Sequence, residues 1–266
     1  MALTPSRDAA QLIWQHWQAG TTLNDIPGAI RPQDRTQGYA AQAALPEASG
    51  RQVLGWKIAA TSSAGQQHIN VSGPLAGRIL SGQTFAPDAV IPAFGNRMRV
   101  AEPEMAFVMG RDLPARQAAY NPEEVLAAVR SLNPSLEMPD SRFTVFTAAG
   151  EAQLLADNAC AHQFILGPAA PDEWRHIDLS QHPVHGRVTH ADGTFFTRQG
   201  SGAAVLGDPR QALTWLVNEL SAMGIDLRAG QFVTTGTCMQ PLELTEGDVV
   251  LADYGVLGQI GMRFDR

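Results

Sequence analysis

The chain has 266 residues, 44% of them hydrophobic, enough for one large domain with a substantial core, so disorder is excluded as the default state. Its formal net charge is -7 and its 19 lysines and arginines are scattered, so the footprint of a nucleic-acid binder is missing and a small-molecule substrate is expected. No stretch approaches the roughly 20 apolar residues of a membrane helix, and the first residues lack a signal-peptide core. The two cysteines, Cys160 and Cys238, sit in no C-x-x-C or metal-finger spacing, so free thiols in a cytoplasmic chain are expected.

In chain order, Ala9, Leu12, Ile13 and Trp17 recur at helical spacing, and after the loop around Pro27 to Pro32 a second helix is predicted from Thr36 to Ala44. Pro46 to Gly50 marks a boundary, giving a helical segment over 1–50 and a catalytic domain over 51–266. Short apolar strands follow: Val53 to Ala59, Met98 to Met109, Ser135 to Met138, His162 to Leu166, Phe232 to Thr234, Val249 to Ala252 and Val256 to Phe264. Asn121, Pro122 and Glu124 form a capping-box start for one helix. Further helices are predicted over Glu151 to Asn158 and from the cap at Asp208 to a stop at Gly224. Strands outnumber helices without strict alternation, which predicts α+β with a mixed or antiparallel sheet.

Chemistry concentrates in Val100-Ala-Glu-Pro-Glu-Met-Ala-Phe-Val108. On a strand, Glu102 and Glu104 share one face with Val100, Ala106 and Val108, roughly 7 Å apart along the chain. Two unpaired carboxylates at a partly buried site resist ionisation, and a hard divalent cation resolves this. The alternative is an edge strand with both glutamates in water. Glu137, in Ser135-Leu-Glu-Met-Pro-Asp-Ser-Arg142, offers a third carboxylate from a neighbouring strand. Pro103 and Pro139 predict edges or bulges, because proline gives no ladder donor. Gly200-Ser-Gly202 lacks the third glycine and the βαβ setting of a dinucleotide loop and reads as a turn.

The runs Gly55-Trp-Lys-Ile-Ala-Ala-Thr-Ser62, Glu102-Pro-Glu-Met-Ala-Phe107, Leu136-Glu-Met-Pro-Asp-Ser-Arg142 and Ala156-Asp-Asn-Ala159 occur in that order. Together with Gly200 to Gly207, Gly230 to Gly236 and the tail to Phe264, the set resembles the fumarylacetoacetate hydrolase superfamily, and within it the 2-keto-4-pentenoate hydratase and 4-oxalocrotonate decarboxylase branch. The resemblance implies a mixed β-sheet roll or sandwich after the small N-terminal helical segment. It implies Mg²⁺ or Mn²⁺ on Glu102, Glu104 and Glu137, and a catalytic Lys57 beside a small 2-oxo acid substrate. Lys57 is the sole lysine of the chain, and its ammonium suits stabilising an enolate or carrying a proton.

Substrate contacts are expected from Ser141 and Arg142. The resemblance implies that Thr235, Gly236 and Thr237 are donors to a substrate carboxylate; by themselves they also read as an ordinary tight turn. Asp157 and Asn158 read as supporting groups or as a helix C-terminus. The expected activity is hydration of a 2-hydroxydienoate or its 2-oxo tautomer; the alternatives are decarboxylation of a 2-oxo diacid, acylpyruvate hydrolysis, and a nonenzymatic part in a complex with another enzyme of the pathway. No H-x-x-E motif lies near Gly55, which disfavours the hydrolase. Arg78 to Phe85 lacks the acidic stretch of the branch. Enzymes of this branch associate, so a homo-oligomer is expected, with the Trp14 and Trp17 helix either at the contact or covering its own domain.

Overall fold

Pro5, at the first helical position, opens helix α1 (Pro5–Ala19), which buries Ala9, Ala10, Ile13, Trp14 and Trp17 along one face and stops at left-handed Gly20. A computed structural model describes residues 4–265. Asp34 caps α2 (Arg35–Ala43) by accepting from the Gln37 amide, and α3 (Leu45–Ser49) follows directly. Both tryptophans of α1 are turned inward: Trp17 lies edge-on to Trp14 and stacks on His162 of the strand region. The helix therefore covers its own fold, and the helical segment shares one hydrophobic cluster with the rest of the chain.

The remaining elements are β1 (Val53–Ala59), α4 (Ser63–His68), β2 (Leu75–Leu80), β3 (Thr84–Phe85), β4 (Val90–Pro92) and β5 (Val100–Met109). Next come α5 (Pro122–Ala127), β6 (Val129–Met138), α6 (Glu151–Ala156), β7 (Gln163–Leu166), β8 (Pro183–Thr189) and β9 (Phe195–Ser201). The chain ends with α7 (Pro209–Ala222), β10 (Phe232–Thr237), β11 (Leu242–Glu243), β12 (Asp248–Asp253) and β13 (Gln259–Asp265). The capping box at Asn121 and Glu124 is present. The segment read as one strand from Val256 is a 3₁₀ turn followed by β13, which begins at Gln259.

One sheet runs β2-β1-β10-β5-β6-β7-β3, with β11 added on β5; the other runs β4-β13-β12-β8-β9. The first contains parallel pairs, β1 with β10 and β3 with β7, among antiparallel ones, which is the mixed α+β architecture. This sheet curls strongly. Phe164 on β7 and Phe232 on β10 stack with centroids 4.9 Å apart, although β5 and β6 lie between them. A flat sheet would separate strands three places apart by about 14 Å. The end strands β2 and β3 are also successive in the chain, so the sheet forms a roll with an inner face. Ile79, Ala106, Val108, Phe164 and Phe232 fill part of that face, while Met105, Phe107 and Met109 point outward into the main core.

The prolines are expected at edges or bulges. Pro103 lies in β5, in the middle of the sheet, opposite Leu136 of β6. The amide of Cys238, one residue beyond β10, donates to its carbonyl, so its nitrogen points the same way, toward the Cys238 carbonyl. That carbonyl accepts from the Ser201 amide at 3.0 Å instead, so the missing donor leaves no acceptor empty, and the register shift of β10 lies opposite Met105. Pro139 lies just beyond the end of β6.

Candidate active site

The β5/β6 register sets Glu102 directly opposite Glu137 and Glu104 opposite Ser135, so strand alternation brings three carboxylates together on the inner face. One oxygen from each of Glu102, Glu104 and Glu137 lies within 4.8 Å of the others. Glu104 and Glu137 are fully buried and Glu102 is half-buried, which places the opening of the site at Glu102. The sequence alternative of two glutamates in water on an edge strand is not what the fold shows.

Glu104 is held on one side only. Thr234 Oγ1 and the Gly236 amide both donate to its Oε2, while Oε1 has no hydrogen-bond donor. The bulge in β10 supplies this amide. Gly236 sits at φ 105, and a Cβ there would come within 2.4 Å of Thr61 Oγ1, so glycine is required. Both oxygens of Glu137 also lack hydrogen bonds. Lys57 Nζ stands 3.2 Å from Glu137 Oε1, an ion-pair contact without hydrogen-bond alignment, and donates to the Ala159 carbonyl at 2.9 Å.

The electrostatics follow from this crowding. Burial and the Glu137 charge push Glu102 up to about 7, with Lys57 pulling the other way. Burial, Glu137 and Glu102 hold Glu104 well above the ordinary carboxylate range, and burial raises Glu137 despite Lys57. Burial alone would lower Lys57, but Glu137 and Glu102 outweigh it and keep the ammonium charged. Three carboxylates face one cation, and three buried oxygens have no donor. That set matches the needs of a hard divalent cation, and among the described residues it is the cluster able to hold one.

The other expected residues stand behind these groups. Arg142 is buried against the Trp17 ring, its guanidinium engaged by the Asp157 side chain and by the carbonyls of Asp157, Asp140 and Ala161. Ser141 donates to Asp157 at 2.6 Å. Thr235 Oγ1 donates to the Met105 carbonyl and Thr237 Oγ1 to the Met239 carbonyl. Asn158 clasps the Arg78 backbone. Burial pushes the Cys160 thiol up to about 12 and raises Cys238 as well, so neither is a ready nucleophile. Sequence reasoning missed Thr234 and the Ala159 carbonyl. Thr234 was legible only as an inward strand position, and a backbone acceptor leaves no mark in side-chain spacing.

The match to known proteins agrees with this geometry. The model of the fumarylacetoacetate (FAA) hydrolase C-terminal family covers residues 57–264. The chain belongs to the fumarylacetoacetate hydrolase family. This family member is 30% identical over 268 residues to a 2-keto-4-pentenoate hydratase of Paraburkholderia xenovorans (strain LB400), covering 99% of this chain and 97% of that one. It is also 30% identical over 227 residues to a 2-oxo-hept-4-ene-1,7-dioate hydratase of Escherichia coli, covering 83% and 82%. Among solved structures it superposes on a 4-oxalocrotonate decarboxylase from Pseudomonas putida G7, complexed with magnesium and adipate, with a TM-score of 0.84, 25% identity and 99% coverage of both chains. No helix among the described residues is long and apolar enough to cross a membrane.

Proposed function

We propose that this family member is a divalent-metal-dependent hydro-lyase that adds water to a 2-hydroxydienoate, through its 2-oxo tautomer, to give a 4-hydroxy-2-oxo acid. The observation that carries the reading is the convergence of Glu102, Glu104 and Glu137 on the inner face, with Lys57 beside Glu137. Glu102, Glu104 and Glu137 would hold Mg²⁺ or Mn²⁺, which when bound supplies Lewis-acid stabilisation of negative charge on the substrate's C2 oxygen. Thr234 and Gly236 fix Glu104 so that its free oxygen faces the cluster.

Lys57 acts as a preorganised positive charge. Its ammonium is tethered by the Ala159 carbonyl and can hold a proton at Nζ next to an enolate. Burial on the inner face lowers the local dielectric around these groups and strengthens their interactions. The side chains of Ser141, Arg142, Thr235 and Thr237 and the Gly236 amide, expected at the substrate from the sequence, donate to protein partners, and we read them as supporting the site.

A second reading keeps the site and changes the reaction. The likeness to the decarboxylase structure favours it, since loss of CO₂ from a vinylogous 2-oxo diacid passes through the same enolate charge. A panel of 2-hydroxydienoates and 2-oxo diacids, followed by ultraviolet loss of the conjugated dienol and by release of CO₂, tests both. Loss of dienol without CO₂ is expected. Stoichiometric CO₂ would install the decarboxylase reading, and no turnover of any member with Mg²⁺ or Mn²⁺ present would overturn both.

A further inference from the structure

Helix α6 does not end in an ordinary cap. Asn158, Ala159 and Cys160 follow it with φ of 58°, 52° and 61°, three successive left-handed residues with no glycine among them. Left-handed backbone costs free energy in residues bearing a Cβ and persists only where the surroundings impose it. Here the imposing contact is identifiable. Asn158 is fully buried, its Oδ1 accepts from the Arg78 amide at 2.7 Å, and its Nδ2 donates to the Arg78 carbonyl at 2.7 Å. Arg78 lies in β2, at the end of the sheet path, so one side-chain amide takes the place of a further strand.

The consequence is felt at Lys57. With the side chain of Asn158 clamped to β2, the left-handed turn carries the next carbonyl, that of Ala159, to within 2.9 Å of Lys57 Nζ. The approach is close on both sides of the lysine stem. Lys57 pairs with Gly77 across β1 and β2, and a Cβ on Gly77 would come within 2.5 Å of the Asn158 carbonyl and 2.9 Å of Lys57 Cδ. Asn is also the residue type, after glycine, that best tolerates this backbone region.

We infer that Asn158 is a positioning residue for Lys57: its two-point clamp on Arg78 fixes the left-handed turn that aims the Ala159 carbonyl at the ammonium and sets where that charge stands. This deepens the proposed function, and rests on it for the part Lys57 plays. The clamp itself concerns only groups of this chain. Of the three ammonium donors, one is committed to Ala159, and the charge keeps its ion-pair contact with Glu137.

The sole lysine makes the test direct, because protein labelled with ¹⁵N-lysine carries one side-chain ammonium signal. In the metal-free parent, a proton–nitrogen correlation spectrum is expected to show one Nζ resonance protected by its hydrogen bond. Asn158→Gly keeps the left-handed backbone and removes the clamp. It should shift that resonance or lose it to exchange with water, and should lower kcat by about tenfold or more, while KM and Mn²⁺ affinity stay within about twofold of the parent.

Placed in a Lys57→Met background, the same substitution should change kcat by less than about twofold, as expected when two residues act as a unit. If the glycine variant does not fold, Asn158→Asp, which keeps the acceptor for the Arg78 amide, loses the donor to its carbonyl and adds a carboxylate, carries the same measurements. An unchanged Nζ resonance, or a loss of kcat equally large without Lys57, would overturn the inference. The functional reading fails separately, through absent turnover in the parent, and leaves the spectrum to be read.

Discussion

Glu102, Glu104 and Glu137 share the inner face of the roll with one ammonium, and the imbalance of charge governs what each residue does. Lys57 contributes no oxygen to the carboxylate set, so Lys57→Met should leave metal affinity nearly unchanged while lowering kcat and kcat/KM together by on the order of a hundredfold. Steady-state kinetics beside a metal titration check this, and parental turnover would remove the lysine from the mechanism. Lys57→Arg should rescue poorly, because the planar guanidinium does not fit the place of a compact ammonium and does not release a proton near neutral pH.

The same carboxylates set a pH dependence. Their folded pKa values lie above the ordinary 4.5, with Glu102 at about 7, so the metal-free fold binds more protons than the unfolded chain over that interval. This contribution to stability is fully present below about 4.5 and is lost as pH rises through about 7. A divalent cation needs the carboxylates ionised. The gap in Tm between metal-loaded and metal-free protein should therefore widen from about pH 5 to about pH 8. A gap independent of pH across thermal scans would contradict the assignment of these groups.

At the scale of elements, the site depends on parts that never touch it. Helix α6 is anchored through Asp157, which accepts from Ser141 and from the backbone and side chain of Arg142, while Trp17 of α1 covers the guanidinium. Asp157→Asn would leave Arg142 buried without its carboxylate and should cost roughly 3–5 kcal/mol, read as a lowered urea midpoint. An unchanged midpoint would show that the pair carries no stability.

Much of this architecture was legible from local signals. Alternation placed Glu102 and Glu104 on one face, and caps at Asn121 and Asp208 marked helix starts that the structure retains. The hairpin of β8 and β9 escaped notice because β9 has no buried face and reads as polar loop. The opposition of Glu102 and Glu137 escaped too, since register depends on pairing across strands rather than on either segment alone. Pro103 is expected at an edge or a bulge, and what accommodates it in a central strand is the Cys238 carbonyl, more than a hundred residues away, which takes the Ser201 amide instead. The left-handed turn at Asn158 to Cys160 carries no glycine to announce it.

For the whole molecule, the outer face of the second sheet is only partly polar. Leu251 and Val249 of β12 and Phe195 of β9 are exposed there, and Phe94 and Val256 are exposed elsewhere at 70% and 69%. We propose that the chain self-associates through such surface, and light scattering at micromolar concentration should give a mass above the 28.5 kDa of one chain. A mass of one chain would contradict this. The central claim remains the metal site, and calorimetric titration of Mn²⁺ into metal-free protein tests it most directly. One site per chain is predicted in the parent and in Glu243→Gln, a variant at an exposed glutamate on β11, with binding lost or weakened by at least about tenfold in Glu104→Gln. Binding of equal strength in all three proteins, or no binding in the parent, would contradict it.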